Sequence, residues 1–339
     1  MDAIYRKAII IIGVVTSVGV LSIVLTRAAA NVASVEPELG TISGKASMYN
    51  NSSASGNSAV SFSSNSTNSP SGQAMPIGNL TNWTQIFTED FNSNVNEGNF
   101  PGTTYNTKWG VYPDGSVDTS AKIEGSNSRY YASRVISVSN GILNKRLRTE
   151  SINGIPTPLV ATLTPLLPGT PPYNPNANGG WPPLRNTPTS LLYGRYSVRF
   201  RADSAVGFKT AWLLWPETET WPEDGEIDFP EGNLNDKICA FTHYQDATND
   251  DINNGVRHQD SFCSDQNFSQ WHTATIERTP TYVRYVLDGV EIGRSTTRLP
   301  NKKMNWRIQT ETCFRNCQPA PSVTGNVQID WVTVYTWEP

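Results

Sequence analysis

The chain has 339 residues and a net charge of −4, and it contains no run of Lys or Arg interleaved with aromatic residues. Nucleic acid is therefore not expected as a partner, because contacts with phosphates dominate affinity for nucleic acid. Hydrophobic residues make up 37% of the chain and charged residues 17%, with 25 Gly and 23 Pro. Low charge together with frequent turn formers favours an all-β extracellular protein over a helical cytosolic one.

The N-terminus carries the pattern of an export signal. Arg6 and Lys7 precede an uncharged apolar stretch from Ala8 to Thr26, and three alanines follow at 28–30. The stretch is long enough to cross a bilayer, whereas the alanines are typical of a signal-peptide cleavage site. Residues 1–30 are thus expected to be either a retained membrane anchor or a cleaved signal. Both alternatives place the rest of the chain outside the cytoplasm, either secreted or anchored to the outer face of the plasma membrane by this segment alone.

Residues 31–82 form a segment dominated by Ser, Asn, Gly and Thr. Its apolar residues are too few for a core, so a flexible linker is expected. Within it, residues 35–62 resemble the opening of β-sandwich carbohydrate-binding modules, although they are far too few to form a module. We interpret them as a remnant of such a module, or as a strand added to the main domain.

Short β-rich runs broken by turns begin at Trp83. In LLYGRYSVRF, Tyr196, Val198 and Phe200 alternate with polar residues and should lie on one face of a strand. No stretch of this region shows a helical period over ten or more residues. The pattern predicts an all-β sandwich of antiparallel sheets over residues 83–339.

Turn signals and an insert subdivide this region. Asp288-Gly289 lies between two apolar runs, which is the strongest short-range signal for a β-hairpin. The last run, VQIDWVTVY, alternates as well and is expected to close a sheet at the C-terminus. The proline-rich insert at 156–188 is expected to be a long surface loop, and loops of that length are often functional.

The four cysteines agree with an oxidising compartment. Cys239, Cys263, Cys313 and Cys317 allow three disulfide pairings, and proximity in sequence favours Cys239–Cys263 with Cys313–Cys317. A metal site is the alternative, but a CxxxC spacing alone lacks two ligands and no histidine lies close in sequence.

The stretch WPEDGEIDFPEGN, residues 221–233, packs acidic residues around a short apolar run. Read as a strand, it places Glu226 and Asp228 on one face, since side chains alternate between the two faces. Glu231 is five residues from Glu226 and would lie on the other face unless one extra residue formed a β-bulge at Phe229-Pro230, where proline is tolerated. Three like charges on one face would raise the pKa of at least one of them. A solvated strand edge or a calcium loop are the alternatives.

The flanking residues extend this pattern into a family resemblance. WPEDGEIDFPE resembles the active-site motif W-P-x-x-G-E-(I/V)-D-x-x-E of glycoside hydrolase family 16, in its bulged, laminarinase-like branch. Further segments resemble the family in order along residues 83–338, among them KWGVY, LLYGRYSVRFR, FKTAWLLW, FSQWHTATIERTPTYVRYVLDG and QIDWVTVY. The resemblance implies a concanavalin-like β-jelly-roll of two curved antiparallel sheets, with a substrate cleft on the concave face.

The resemblance also assigns roles to residues of the motif. It implies that Glu226 is the nucleophile, Asp228 the assisting residue and Glu231 the general acid/base of a retaining glycosidase. The expected function is that of an exported endo-acting hydrolase of a β-linked polysaccharide, with β-1,3- or β-1,3-1,4-glucan first among the substrates. A transglycosylase is the alternative with the same carboxylates. A lectin-like domain without catalysis, or a lyase using His243 and Tyr244, are alternatives of other kinds.

Substrate-binding residues follow from the same resemblance. Trp221 is expected to stack on a sugar ring, with Trp212 alongside, although Trp212 in the apolar AWLLW run would equally suit the core. His243 is expected in the cleft, and Arg199 is expected to hydrogen-bond substrate hydroxyls.

No cofactor is expected for catalysis, and the chain is expected to be a monomer. Many members of the family hold a structural calcium ion on the convex side. The resemblance places its neighbourhood here at Asp330, Asp90 and Gly141.

Three departures from the family pattern bear on the substrate. Phe208-Lys209-Thr210 replaces the W-P-A of the strand before the motif, and Ser197 replaces a glutamate. The glycine-rich segment typical of laminarinases is replaced by RIQTETCFRNC, residues 307–317. These changes weaken a β-1,3-glucan assignment but leave the three carboxylates intact.

Overall fold

A computed structural model describes residues 46–50, 58–62, 69–174, 189–314 and 317–339. The chain divides into two compact units, Met1–Asn65 and Ser66–Pro339. The anchor or signal expected at 1–30 lies outside the described residues. Within the described ranges, no helix is both long and apolar enough to cross a membrane.

The described residues of the first unit form one pair of strands. β1 (Ala46–Asn50) and β2 (Ser58–Phe62) are antiparallel and form a two-stranded sheet of their own. This pairing lies within the segment that resembles a carbohydrate-binding module. Whether the segment is a remnant of such a module stays a prediction.

The second unit is built from strands in two sheets, with a few short helices. Its strands are β3 (Trp83–Glu89), β4 (Trp109–Val111), β5 (Ser116–Val117), β6 (Arg129–Tyr130), β7 (Ile136–Ser139), β8 (Ile142–Ile152), β9 (Ile155–Val160), β10 (Thr162–Pro165), β11 (Gly194–Ala202), β12 (Phe208–Pro216), β13 (Glu226–Asn233), β14 (Lys237–His243), β15 (Gln259–Asn267), β16 (His272–Arg278), β17 (Val283–Leu287), β18 (Val290–Ser295), β19 (Met304–Thr312) and β20 (Gly325–Trp337). The helices are α1 (Gly102–Tyr105), α2 (Thr119–Glu124), α3 (Ala132–Val135) and α4 (Asn249–Asn253).

The two sheets form the sandwich that the sequence predicts. The first, here called the site sheet, has the order β15-β14-β13-β12-β19-β10-β4. The second, here called the back sheet, has the order β18-β17-β16-β11-β20-β8-β9-β6-β5, with β3 added to β20 and β7 to β8. Nearly all pairings are antiparallel, the exception among the named strands being β6 with β9. The all-β jelly-roll class is thereby confirmed.

The core lies between the sheets and follows the predicted alternation. Tyr196, Val198 and Phe200 of β11 are all buried, as predicted. The ring of Phe200 packs edge-on against Trp212 of the site sheet with 5.0 Å between centroids. Alternating apolar side chains thus join the two sheets, as is usual for a sandwich.

The predicted hairpin is confirmed at Asp288-Gly289. β17 and β18 pair on either side of it, and both turn residues have positive φ, 50° and 81°. Such turns match the right-handed twist of the strands that they join. The C-terminal run differs from the prediction in one respect, because β20 pairs with β11, β8 and β3 and so lies inside the back sheet rather than at its edge.

The prediction of a surface loop at 156–188 is wrong for its first part. Residues 155–160 and 162–165 form β9 and β10, and Leu159, Val160 and Leu163 are fully buried. The two prolines of β9 cannot donate a backbone hydrogen bond to a neighbouring strand. On the side of β6 no such bond is needed from them, because β6 pairs with β9 only at residues 159–160, beyond both prolines. The part of the insert at 175–188 lies outside the described residues.

Both predicted disulfides are confirmed. Cys239 and Cys263 are direct cross-strand partners in β14 and β15 and are bonded to each other. Cys313 and Cys317 close a short loop after β19. All four cysteines are thus consumed, and the metal alternative for them is wrong.

Trp212 is a core residue, which corrects its assignment to the cleft. The indole is completely buried between the sheets, since its position on β12 points away from the face that carries the carboxylates. Its even-numbered neighbour Leu214 is buried in the same core. The apolar run AWLLW gave no alternation from which this orientation could be read.

We expect Trp212→Ala to lower the free energy of unfolding by about 3–5 kcal/mol, because it opens a cavity in the core. Trp271→Ala removes the same side chain at a partly exposed site over Arg201 and should cost no more than about 1 kcal/mol. Chemical unfolding of both variants measures the difference. If both variants lost only a small and equal part of the free energy of unfolding, and Trp212→Ala alone lost sugar binding, Trp212 would be a cleft residue after all.

Candidate active site

The bulge predicted at Phe229-Pro230 is present in β13. Asp228 pairs with Phe241 of β14 and Glu231 pairs with Cys239, so three steps along β13 match two along its partner. On the other side, Asp228 and Glu231 lie opposite two residues of β12 that are also two apart. The extra residue restores parity, and Glu226, Asp228 and Glu231 share one face of the site sheet.

Buried contacts hold the bulged segment in place. Phe229 is buried on the core side and packs against Tyr285 of the back sheet, with 5.6 Å between ring centroids. The peptide bond between Phe229 and Pro230 is cis. The extra residue of the bulge lets the side chains before and after it, Asp228 and Glu231, face the same side.

Gly225 fixes the entry into the strand. Its φ is +71°, and a Cβ there would lie 2.7 Å from the carbonyl oxygen of His243 and 2.8 Å from Pro300. Only glycine fits such a close approach of backbones at positive φ. The tight contact sets the register in which Glu226 lies directly opposite His243.

Glu226, Asp228 and His243 form the centre of the site. The Oδ2 atom of Asp228 lies 3.2 Å from Nε2 of His243, and Asp228 also shares a hydrogen bond with Glu226. Burial first, and the neighbouring Asp228 second, raise the pKa of Glu226 well above its ordinary value. Burial first, and Glu231 second, raise the pKa of Asp228. Like charges close together in a desolvated place cannot all ionise.

The same three residues are the one group of metal-ligand type found within the described ranges. Their carboxylate and imidazole atoms all lie within 4.8 Å of one another. A cation bound there would occupy the very carboxylates that the family resemblance assigns to catalysis.

A cavity of about 520 Å³ opens over these carboxylates. It is lined by Tyr112, Thr119, Lys122, Ile123, Tyr130, Lys209, Ala211, Leu213, Trp215, Glu219, Trp221, Glu226, Asp228, Glu231, His243, Arg307, Gln309, Glu311 and Phe314. Trp221 and His243 thus lie in the cleft, as expected, and their rings meet edge-on with 6.1 Å between centroids. Acidic groups, aromatic faces and a few cations together line a site suited to a polar ligand with apolar faces.

Arg199 does not lie in the cleft, which corrects its assignment. It belongs to β11 in the back sheet, and its odd position there faces away from the core. Its guanidinium donates to the hydroxyl of Ser71 at 3.2 Å and lies 3.7 Å from Asp288. Arg199 therefore ties the segment near residue 71 to the outer face of the back sheet.

Lys209 and Glu311 reach the site although the sequence reasoning gave them no role. Nζ of Lys209 donates to Oε1 of Glu231 at 2.5 Å and lies 3.7 Å from Oε2 of Glu311. Burial raises the pKa of Glu311 to about 7 despite the neighbouring Lys209. The alternation of Arg307, Gln309 and Glu311 in RIQTET was the signal that could have placed Glu311 on the cleft face.

A second group missed by sequence reasoning surrounds Arg307. Its guanidinium donates to the hydroxyl of Tyr112 at 3.0 Å, is paired with Glu219, and lies 5.2 Å from the ring centre of Trp215. Trp215 in turn donates to Glu219 at 2.8 Å. This end of the cleft is an ordered array of an aromatic ring and polar groups.

The three residues expected near a calcium ion lie around the segment Ser69–Ser71. Asp330 is buried, and its Oδ2 accepts hydrogen bonds from the Ser69 hydroxyl at 2.5 Å and from the Ser71 backbone at 3.2 Å. A Cβ on Gly141 would lie 3.2 Å from Pro70 and 3.9 Å from the carbonyl oxygen of Asp90. Oxygen ligands suit calcium, but protein donors already engage this carboxylate, and the calcium ion stays a prediction.

The two-sheet jelly-roll with carboxylates clustered on one sheet agrees with the family resemblance of the sequence. Residues 182–333 match the family described as glycosyl hydrolases family 16. The match spans 152 of the 339 residues, and over them the chain is similar to this family of glycoside hydrolases. No curated protein matches the sequence.

Several solved structures share the fold. The laminarinase from Rhodothermus marinus superposes with a TM-score of 0.56 at 20% identity, covering 76% of this chain and 98% of that one. SCLam, a non-specific endo-β-1,3(4)-glucanase, gives a TM-score of 0.56 at 18% identity, covering 78% and 95%. The catalytic domain of an endo-1,3-β-glucanase from Thermotoga petrophila RKU-1 gives 0.53 at 16% identity, covering 76% and 99%. At these identities the likeness establishes the fold.

The raised pKa values of Glu226 and Asp228 predict how stability depends on pH. A carboxyl whose pKa is higher in the folded than in the unfolded state contributes stability below the unfolded value, near pH 4, and this contribution is lost as pH rises through the folded value. We expect Asp228→Asn, which removes one buried charge, to raise Tm by about 2–4 °C at pH 7.5 and to change it little at pH 4. Thermal unfolding at both pH values measures this.

The matched control for this variant is Asp265→Asn, at an exposed aspartate paired with Lys237 on the same sheet. It should leave Tm at pH 7.5 unchanged or slightly lower, since surface ion pairs contribute little. Equal losses of stability at both pH values in Asp228→Asn would contradict the account of repulsion among buried carboxylates.

Proposed function

We propose that the protein is a retaining endo-glycoside hydrolase that cleaves a β-linked glucan. The observation that carries this is the bulge in β13, which places Glu226, Asp228 and Glu231 on one face beneath an open cleft. A retaining mechanism requires one carboxylate as nucleophile and a second carboxyl group nearby as acid and base. Glu226 and Glu231 supply this pair.

In the first step, a carboxylate oxygen of Glu226 attacks the anomeric carbon, and the bond from that carbon to the leaving oxygen breaks. Glu231 gives its proton to the leaving oxygen as that bond breaks. In the second step, Glu231 takes a proton from water, whose oxygen attacks the anomeric carbon and releases Glu226. The sugar therefore keeps its configuration after two inversions.

Asp228 and His243 govern the charge on the nucleophile. Burial and Asp228 raise the pKa of Glu226, so the fraction of Glu226 that is ionised increases as pH rises through this raised value. His243 opposes this rise in the pKa of Glu226, and its Nε2 lies 3.2 Å from Oδ2 of Asp228. The rate of the first step should accordingly rise with pH on the acid side of the optimum.

Glucan is the substrate class that we favour. The structures with this fold include a laminarinase, an endo-1,3-β-glucanase and a non-specific endo-β-1,3(4)-glucanase by name. Trp221, partly exposed in the cleft beside His243, offers an aromatic face of the kind on which a sugar ring stacks. The cleft is lined by residues of several neighbouring strands, β14, β13, β12 and β19, and a site that spans these strands suits an internal stretch of polymer and hence endo cleavage.

Export belongs to the proposal as well. Two disulfides suit an oxidising compartment outside the cytoplasm, and the pattern of residues 1–30 suits an anchor or a signal. We infer that the enzyme meets its polysaccharide outside the cell membrane.

A lyase reaction at His243 and Tyr244 has little support. Consecutive strand residues point to opposite faces, and only His243 lines the cleft. The hydroxyl of Tyr244 donates to Asp260 at 2.7 Å, and the ring is covered by Arg298. The two side chains therefore do not converge on one substrate atom.

We expect Glu226→Gln and Glu231→Gln each to lower kcat on soluble β-1,3-glucan or mixed-linkage β-glucan by at least about 10³-fold, because each removes a group that acts in the transition state. Reducing-sugar release measures the rates. Glu223→Gln is the matched control, since Glu223 is exposed, lies three residues before Glu226 and should tolerate the same change. Near-full activity in either of the first two variants would refute the assignment.

Trp221→Ala is expected to raise KM for the same glucan about tenfold and to change kcat little, because stacking on a sugar ring stabilises bound substrate and transition state alike. Trp271→Ala, at the residue just before β16 and outside the lining of the cleft, is the control and should leave KM unchanged. Initial rates over a range of glucan concentrations give both constants. An unchanged KM in Trp221→Ala would show that this indole does not contact sugar.

A further inference from the structure

Two departures from the family's sequence pattern meet at one place in the fold. Lys209, in the replaced W-P-A segment, pairs in register with Glu311, in the replaced glycine-rich segment. Its ammonium lies 4.5 Å from the ring centre of Phe314, next to the loop closed by Cys313 and Cys317. Two substitutions that arose independently and without effect on function would not be expected to form a charged pair packed against an aromatic ring.

The ammonium of Lys209 is directed at Glu231. Its Nζ donates to Oε1 at 2.5 Å, and the lysine is only 7% exposed. Burial by itself would lower the pKa of Lys209, but Glu231 and Glu311 together raise it above its ordinary value. Lys209 therefore remains a cation, and a buried cation is strongly held by the carboxylates that neutralise it.

Glu311 holds the lysine from the other side. Its Oε2 lies 3.7 Å from Nζ of Lys209, and its Oε1 accepts a hydrogen bond from Gln309 at 2.6 Å. The ionisable groups that face the ammonium are thus Glu231 and Asp228 from β13 and Glu311 from β19. Lys209 lies on β12, between β13 and β19, and its ammonium binds Oε1 of Glu231. The other oxygen of that carboxyl group, Oε2, is then the one left for the substrate in the cleft.

We propose that Lys209 is a positioning residue for Glu231, and that Glu311 holds Lys209 in place. The inference rests on the proposed function, because it takes Glu231 to be the acid/base. When Glu231 passes its proton to the leaving oxygen, it becomes a carboxylate, and Lys209 lies ready to pair with that new charge. An interaction that strengthens as charge develops accelerates the reaction rather than merely binding substrate.

The test compares two substrates of the same glycone. One is soluble β-1,3-glucan, whose leaving oxygen needs a proton, and the other is a 2,4-dinitrophenyl β-glycoside of laminaribiose, whose leaving group departs without one. We expect Lys209→Met to lower kcat on the glucan about 10- to 100-fold and kcat on the aryl glycoside less than about threefold. With the cation gone, the three carboxylates take up a proton more readily, so the alkaline limb of kcat/KM should move upward by about one pH unit or more.

Lys237→Met is the matched control. Lys237 lies on the same sheet and is paired with Asp265 at 2.7 Å, but both side chains are exposed. Neither the ratio of the two substrates nor the pH profile should change in this variant. Lys209→Arg keeps the charge while altering the geometry, so it should keep the alkaline limb in place and still lose activity on the glucan.

Equal losses on both substrates with an unmoved pH profile would reduce Lys209 to a structural residue and overturn the inference. If Lys209→Met does not fold, Lys209→Arg decides, because full activity on the glucan would show that the position of the charge is unimportant. A wild-type enzyme inactive on both substrates would overturn the proposed function and the inference with it. A wild-type enzyme active on both, with Lys209→Met indistinguishable from it, would overturn the inference alone.

Discussion

The cleft depends on one extra residue in β13. Side chains of a regular strand alternate, so five steps from Glu226 would bury Glu231 against the core or turn Phe229 toward water. The bulge at Phe229-Pro230 resolves this conflict, because it keeps Phe229 packed on Tyr285 and returns Glu231 to the face of Glu226 and Asp228. The bulge therefore lets one short strand bury its apolar side chains in the core and present its carboxylates to the cleft.

Grouping three carboxylates on one face has an electrostatic consequence. Burial first, and the neighbouring carboxylates second, raise the pKa values of Glu226 and Asp228. Side chains from the two neighbouring strands contact these carboxylates: His243 lies beside Asp228, and Lys209 lies beside Glu231. Functional sites commonly retain such unfavourable groupings, and the rest of the sandwich core must offset them.

The sequence was most informative where local rules decide the outcome. Strand parity and the tolerance of bulges for proline were sufficient to predict the bulge, and an Asp-Gly pair was sufficient for the hairpin at 288–289. Proximity predicted both disulfides, since the closest pairs in sequence also lie on adjacent strands or in one loop. These features depend on residues within a few positions of one another or on adjacent strands.

Features that depend on the pairing of distant strands were predicted poorly. AWLLW is apolar throughout, so nothing local shows that Trp212 faces the core, and Arg199 was placed in the cleft because its membership of the back sheet is not visible in its own segment. Lys209 and Glu311 are about a hundred residues apart and meet only because β12 pairs with β19. Their roles became readable once the register was known.

The most direct test of a covalent intermediate on Glu226 is to trap it. A 2-deoxy-2-fluoro β-glycoside of laminaribiose with a 2,4-dinitrophenyl leaving group should react with the enzyme and accumulate as a glycosyl ester, because the fluorine slows the second step more than the activated first step. Peptide mass spectrometry is predicted to find the sugar on Glu226. A label on Asp228 or Glu231, or hydrolysis of the unfluorinated glycoside with inversion at the anomeric carbon, would contradict the assignment.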